Sequence, residues 1–249
     1  MFEKIRSLIF RFNPEIAHDL AIKALKTNIV PVKIKRYDTL KVNFFEKEVP
    51  NPIGIAAGFD KNAEVYNSLF KLGFGFVEVG TITPQPQFGN PKPRVFRLEE
   101  DEALINRLGF NNIGSEAAAK NIIGNTPAGL LGINIGPNKD TKNRINDYLK
   151  CFKIINNLGD YVTINISSPN TENLRSFHNP RELDELLTRL NNEKSKTMSS
   201  TNFAVKIAPD IKIKDLDIIG NVLLKNNVNL AIISNTSDGT RANLKNINK

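Results

Sequence analysis

The groups best placed to do chemistry in this chain stand in the stretch Tyr161-Val162-Thr163-Ile164-Asn165-Ile166-Ser167-Ser168-Pro169-Asn170-Thr171. Its first half carries the β-branched, alternating pattern of a buried strand. Its second half is a burst of small polar groups closed by Pro169. An unpaired amide or hydroxyl in the interior costs about 1–3 kcal/mol. Asn165, Ser168, Asn170 and Thr171 are therefore expected to face a cavity that holds something polar. Ser-Pro-Asn-Thr is also ordinary turn chemistry, so this stretch alone leaves both readings open. Recurrence favours a site. Strand-like segments end in Asp60-Lys61, in Gly80-Thr81, in Asn134, in Asn165 to Asn170, in Lys206 and in Ser234-Asn235-Thr236.

Those ends hold amides, hydroxyls and two lysines, with no carboxylate pair, Ser-His-Asp set or metal cluster. Amides donate and accept at once and lysine supplies a point charge, which suits a planar, anionic, hydrogen-bonding ligand. Lys206 has three readings. It could form a Schiff base, as in barrel aldolases, if desolvation lowers its pKa. It could stabilise negative charge on a reduced cofactor ring. Or it could simply snorkel from a strand end.

The elements that carry these ends alternate. Val42-Asn43-Phe44 and Val49 form a short hairpin, after a polar linker at Val32–Asp38. Strands are predicted at Ile53–Ala57, Phe76–Val79, Leu130–Ile135, Tyr161 onward, Phe203–Ile207 and Leu230–Ser234. Helices are predicted up to about Leu72, from Ser115, around Ile145–Asn157, from Arg181 to about Leu190, and from about Asp215 to Leu224. Arg94–Leu98 and Ala103–Asn106 form a β-excursion. Such alternation means a parallel sheet with helices outside it. No Gly-x-Gly-x-x-Gly follows the first strand, which argues against a dinucleotide-binding sheet. Polar groups at the C-terminal ends of many strands favour a (β/α)8 TIM-barrel type α/β fold. Only six of its eight βα units are legible.

Composition sets the outer limits. The 249 residues carry 34 Lys+Arg against 26 Asp+Glu, a formal net charge of +8. That excess suits an anionic ligand or membrane surface. The basic residues form no stripe or aromatic-basic repeat, so no nucleic-acid partner is expected. One cysteine, Cys151, excludes an internal disulfide, and with two histidines it leaves no zinc set. Phe2, Ile5, Ile9 and Phe12 fall at helical spacing beside Lys4, Arg6 and Arg11. Asn13-Pro14-Glu15 then starts a second helix through Ile16, Leu20 and Ala24. Two basic, Phe-rich amphipathic helices fit an interfacial membrane anchor, though from these residues alone two helices packed on their own domain is the slightly preferred reading.

Seven blocks carry a resemblance. They are Ala56-Ala57-Gly58-Phe59-Asp60-Lys61, Gly80-Thr81-Ile82-Thr83-Pro84, Asn106-Arg107-Leu108-Gly109-Phe110-Asn111-Asn112, Gly132-Ile133-Asn134-Ile135-Gly136, Asn165 through Thr171, Ala204-Val205-Lys206-Ile207-Ala208-Pro209-Asp210, and Asn235-Thr236. From about Asn13 to about Arg241 the chain resembles the dihydroorotate dehydrogenase family. Ala17-His18-Asp19-Leu20 resembles its quinone-dependent, membrane-associated class.

The resemblance implies an FMN-dependent barrel enzyme of pyrimidine (UMP) biosynthesis. It would oxidise dihydroorotate to orotate and pass the electrons to a membrane quinone, at the cytoplasmic face of the cell membrane. Ala57, Gly58, Lys61, Thr81, Asn134, Asn165, Lys206 and Ser234 would line the flavin. Lys61, Asn106, Arg107, Leu108, Gly109, Phe110, Asn165, Asn170, Asn235 and Thr236 would hold the substrate. Ser168 would be the base that takes the C5 proton, with Thr171 relaying it. Soluble members of the family carry cysteine at the base position, so Ser168 matches the quinone class. Residues 1–38 would be the membrane- and quinone-associated extension and 39–249 an incomplete FMN-binding barrel. In the family, glycine-rich loops after the seventh and eighth strands hold the FMN phosphate. Those segments are not in this sequence, which adds a non-catalytic remnant and, more weakly, a Lys206 aldolase as alternatives.

Overall fold

Strands that are apolar on both faces must be covered on both faces, and this chain builds its centre from such strands. The computed structural model describes residues 9–29, 34–171, 174–237, 241, 242, 244 and 245. In chain order the elements are α1 (Pro14–Lys26), β1 (Val42–Phe44), β2 (Lys47–Val49), β3 (Gly54–Ile55), α2 (Tyr66–Lys71), β4 (Phe76–Ile82), β5 (Val95–Leu98), β6 (Ala103–Asn106), α3 (Ser115–Ile123), β7 (Leu130–Ile135), α4 (Arg144–Ile155), β8 (Tyr161–Asn165), a 3₁₀ helix (Leu174–His178), α5 (Pro180–Lys196), β9 (Asn202–Ile207), α6 (Ile213–Lys225) and β10 (Leu230–Ile233). The helix expected over Phe2–Phe12 lies mostly outside the described residues, of which Ile9 and Phe10 are helical.

Among the described residues the main sheet runs β3-β4-β7-β8-β9-β10 and every pair in it is parallel. It is the curled, incomplete βα barrel that the strand–helix alternation predicts. β7 and β8 are buried along their whole lengths. The helices cover them with stripes at helical spacing. α4 buries Tyr148, Cys151, Phe152 and Ile155, and α5 buries Leu183, Leu186, Leu187 and Leu190. Asn143 and Asn179 cap these helices by accepting from the amides of Asn146 and Arg181.

Both expected hairpins form, β1 with β2 and β5 with β6. The first plugs one end of the sheet. Phe44, Phe45 and Val49 pack on Phe76, Leu130, Tyr161 and Ala204, with the Phe44 and Phe76 rings stacked at 5.5 Å. That end is apolar, so the polar residues collect at the other end, beyond the C-termini of the strands.

Three elements differ from expectation. β3 is two residues long rather than Ile53–Ala57, because the chain leaves the ladder where the Gly58 amide donates to Gly80 O at 2.7 Å. β4 runs past Val79 to Ile82, with its register to β7 shifting between those residues. The helix expected soon after Asp60 begins at Tyr66. The intervening turn is held by the Asp60 carboxylate, which accepts from the Glu64 and Val65 amides at 2.8 Å each. Asp60, read from sequence as a ligand-facing strand end, is thus a buried structural cap, and burial raises its pKa.

Candidate active site

The polar ends of the strands meet in one cavity of about 510 Å³. Its wall includes Ala57, Gly58, Lys61, Thr81, Asn165, Lys206 and Ser234, all expected to line the flavin. It also includes Asn106, Leu108, Gly109, Phe110, Asn170, Asn235 and Thr236 from the expected substrate set, and Ser168.

Behind this wall a buried carboxyl sets the amide orientations. Glu78 sits in the middle of β4 at 3% exposure. Its Oε1 accepts from Asn134 Nδ2 and its Oε2 from Thr163 Oγ1, both at 2.8 Å. A carboxyl oxygen that accepts fixes the Asn134 amide with Nδ2 toward Glu78 and Oδ1 toward the cavity side. Asn134 Oδ1 accepts from Thr81 Oγ1 at 2.6 Å and from Asn165 Nδ2 at 3.1 Å. Asn165 Nδ2 also donates to Thr81 Oγ1 at 3.0 Å. The Asn165 amide is thereby oriented too, and its Oδ1 accepts from the Ser167 hydroxyl at 2.8 Å and the Ser167 amide at 3.2 Å. Asn235 Nδ2 donates to Ser167 Oγ at 2.9 Å. A single chain of oriented dipoles therefore runs from Glu78 to the loop that bears Ser168. Burial, with the Glu78 carboxyl beside it, pushes the Tyr161 phenol pKa up.

Ser168 is 4% exposed, and its Oγ accepts from the Asn170 amide at 3.2 Å. Asn170 Nδ2 points at Asn106 across the cavity, 3.5 Å from its Oδ1. Gly109 and Phe110 both have positive φ, +74° and +54°. That conformation lays the Asn106–Phe110 loop over the cavity, with Gln87 Nε2 donating to the Gly109 and Phe110 carbonyls at 3.1 Å each. Lys206 is 8% exposed, and among the described residues no carboxylate lies within 4.0 Å of its ammonium.

The N-terminal side of the cavity comes from α1. Glu15 pairs with Arg94 at 2.5 Å and with Lys92 at 3.4 Å. Burial pushes the Glu15 carboxyl up, but Arg94 and Lys92 outweigh it and hold the pKa below its ordinary value. His18 Nε2 lies 3.3 Å from Lys61 Nζ. An ammonium can only donate, so His18 is neutral there. Burial and the Lys61 charge both lower the His18 pKa, and burial lowers that of Lys61. Arg97 reaches the Phe12 carbonyl at 2.8 Å and lies over the Phe10 ring, and it also faces the cavity.

Some expected residues are placed elsewhere. Arg107 turns its guanidinium to the Pro93 carbonyl and the Phe96 ring rather than into the cavity. Thr171 is buried, with its carbonyl accepting from Leu174, and is not in the cavity wall. Asn134 supports the wall from behind. Cys151 is buried in α4, and burial pushes its thiol up. Sequence reading passed over Glu78, Glu15, Arg94 and Arg97. Glu78 alone left a signal, a charged residue inside the otherwise apolar run Phe76-Val77-Glu78-Val79.

Comparison with known proteins adds the family context. Residues 39–249 match the family model described as dihydroorotate dehydrogenase. A relative from Nitrosomonas europaea, named dihydroorotate dehydrogenase (quinone), is 42% identical over 95% of this chain and 72% of its own length. One of the same name from Brucella anthropi is 47% identical over 98% of this chain and 69% of its own length. A third, from Rhodopseudomonas palustris, is matched over 63% of its length. A crystal structure of the Eimeria tenella DHODH in complex with ferulenol superposes with a TM-score of 0.89 at 36% identity, covering 94% of this chain and 70% of that one.

Proposed function

Because the chain belongs to the dihydroorotate dehydrogenase family, we propose that it oxidises dihydroorotate to orotate in pyrimidine biosynthesis, with FMN as cofactor and a membrane quinone as electron acceptor. The observation that carries this reading is the single cavity in which one buried lysine, Lys206, and an oriented amide set meet the Ser168 loop.

The residues fit a flavin by their chemistry. A buried ammonium without a carboxylate partner among the described residues calls for an anionic ligand. The neighbouring amides and the Thr81 hydroxyl offer donors and acceptors to a planar ring. Gly58, at φ +111°, has open space where a Cβ would stand, which lets a ring approach the backbone. Ala57, Gly58, Lys61, Thr81, Asn165, Lys206 and Ser234 would hold the cofactor, with Asn134 behind them. When bound, FMN supplies two-electron acceptance from carbon and release to a quinone.

The chain's own groups do the rest. Lys61 and the Asn106, Asn170 and Asn235 amides hold the ring and carboxylate of the substrate, with Thr236 and the Leu108–Phe110 backbone beside them. Ser168 Oγ takes the proton from C5. Serine is a weak base, so its own proton must leave as it gains the new one. Thr171, three residues on and buried, relays it, accepting it directly or through a water as its own hydroxyl proton passes on toward solvent. Lys206 offsets negative charge that develops on the cofactor side of the cavity. The loop that carries Asn106 to Phe110 excludes water from the reacting face.

The experiment is anaerobic titration of the purified, FMN-reconstituted chain with dihydroorotate. Bleaching of the yellow flavin colour, with orotate formed in equal amount, is the expected result. A protein that takes up no FMN, or whose colour dihydroorotate leaves unchanged, would overturn the reading.

Peripheral membrane association belongs to the same proposal. Among the described residues no helix is long and apolar enough to cross a membrane. α1 buries none of its residues; its Ile16 and Leu20, and Phe12 just before the Asn13 cap, are all about half exposed. That row suits a helix lying in the headgroup region while its other side, through Glu15 and His18, borders the cavity. Flotation with anionic vesicles should carry the full chain and leave behind a form starting at Ile34. Equal flotation of the two would remove residues 1–33 as the membrane contact.

A further inference from the structure

His178 stands outside the cavity just described, at the end of the 3₁₀ helix that follows the Ser168 loop. Its hydrogen bonds dictate its state. Nδ1 lies 3.1 Å from the Arg175 carbonyl, which can only accept. Nε2 lies 3.3 Å from the Ala208 backbone amide, which can only donate. The ring therefore carries its proton on Nδ1 and is neutral.

The two elements it joins are the two sides of the reaction site. On the same helix, Arg175 Nε donates to the carbonyl of Ser167, the neighbour of Ser168, at 3.2 Å. Ala208 lies two residues beyond Lys206, and Ile207 O accepts from the Asn235 amide at 3.1 Å. Arg175 and His178 thus form a brace from the base-bearing loop to the lysine-bearing strand. We propose that His178 is a positioning residue that clamps the Ser168 loop to the end of β9 through its neutral ring, and that protonation of the ring opens the clamp. An imidazolium would set an N–H against the Ala208 N–H, and that bond would be lost.

The surroundings keep the ring neutral. It lines a separate cavity of about 320 Å³ with Arg175 on its own helix, Asp210 and Lys212 on the loop after β9, and Asp215 on α6. Asp210 is 3.5 Å from the Arg175 guanidinium, and Glu182 at the start of α5 accepts from Ser176 at 2.6 Å. Burial chiefly lowers the His178 pKa from 6.5. The Arg175 charge lowers it further, and the bond to the Arg175 carbonyl works the other way. With the folded-state pKa below the unfolded one, the clamp's contribution is complete above about pH 6.5. It is lost as the pH falls from there through the folded pKa.

This role rests on the dehydrogenase reading, but its tautomer, titration and thermal tests do not. The chain has two histidines, so ¹⁵N-histidine labelling gives two imidazoles, and His178→Gln assigns them. The His178 ring should show the Nδ1–H tautomer and titrate below pH 6.5. Glutamine keeps one acceptor and one donor without titrating. H178Q should therefore abolish the part of the acid-side fall in thermal midpoint that His178 causes, leaving the part due to His18. As the pH falls through the His178 titration, flavin reduction by dihydroorotate should slow in the parent by more than in H178Q, which keeps only the fall due to His18. His178→Leu should lose roughly ten- to a hundredfold at every pH, with orotate affinity unchanged, since small misplacements of reacting groups cost rates of that order. An Nε2–H tautomer, a titration at the ordinary value, or an H178Q protein with the parental acid-side fall would each overturn the clamp. The expected tautomer and titration in a chain whose flavin dihydroorotate never reduces would uphold the clamp and overturn the dehydrogenase reading instead.

Discussion

Ser168→Ala is expected to slow the reduction of bound flavin by dihydroorotate roughly 10²–10⁴-fold, the usual contribution of a positioned base. Orotate affinity should hardly change. Ser168 is 4% exposed and, among the described residues, its hydroxyl accepts only the Asn170 amide, so alanine removes a small side chain with little repacking. The Asn165, Asn170 and Asn235 amides that would grip the ligand have their own partners in Asn134, Asn106 and Ser167. A binding-neutral, rate-specific loss is what separates a base from a ligand contact. Stopped-flow absorbance of the flavin under anaerobic conditions measures the rate, and orotate-induced spectral shifts measure the binding. A variant that reduces at the parental rate would remove Ser168 from the chemistry.

Glu78→Ala should have the largest effect on stability, about 3–5 kcal/mol, from a cavity plus two buried donors stranded at roughly 1–3 kcal/mol each. Those donors are Asn134 Nδ2 and Thr163 Oγ1. Glu78→Gln should cost less than about 2 kcal/mol, because its carbonyl still receives Asn134 and the Thr163 hydroxyl can rotate to accept. Denaturant midpoints at constant slope report both values. The two variants should also separate structure from function. Alanine frees the Asn134 amide to turn, which breaks the sequence of dipoles through Asn165 to Ser167, so FMN uptake should fall even where the sheet survives. An alanine variant within about 1 kcal/mol of the parent, with normal FMN uptake, would refute Glu78 as the organising group.

How the fold could be read without coordinates depends on which signals are local. Leu130–Ile135 and Tyr161–Asn165 announce buried parallel strands because both faces are apolar, and the helices between them announce themselves by stripes such as Tyr148, Cys151, Phe152 and Ile155. The recurrence of polar residues after each strand followed from the same alternation, so the Asn165–Ser168–Asn170 cluster, Lys206 and Asn235-Thr236 could be named as one site in advance.

Other features depend on partners far away in sequence, and periodicity carries no record of them. Asp60 looked like a ligand because it closes a strand, but the two amides four and five residues on claim its carboxylate. Arg107 sits in a loop whose backbone faces the cavity, while Phe96 and the Pro93 carbonyl draw its guanidinium away. Glu15 and Arg94 are distant in the chain and meet only because α1 lies against the β5–β6 excursion. Glu78 gains its meaning from the register that sets β4 beside β7 and brings Thr163 of β8 within reach.

Chain order and residue type were enough to place a polar, lysine-bearing site at the ends of a parallel sheet, because burial and strand–helix alternation are properties of neighbouring residues. Folding in three dimensions selected which amide faces which, that Lys61 shares its place with His18, and that His178 spans from the 3₁₀ helix after the Ser168 loop to the end of β9. Those outcomes depend on hydrogen-bond directions between segments whose relative placement is decided by packing.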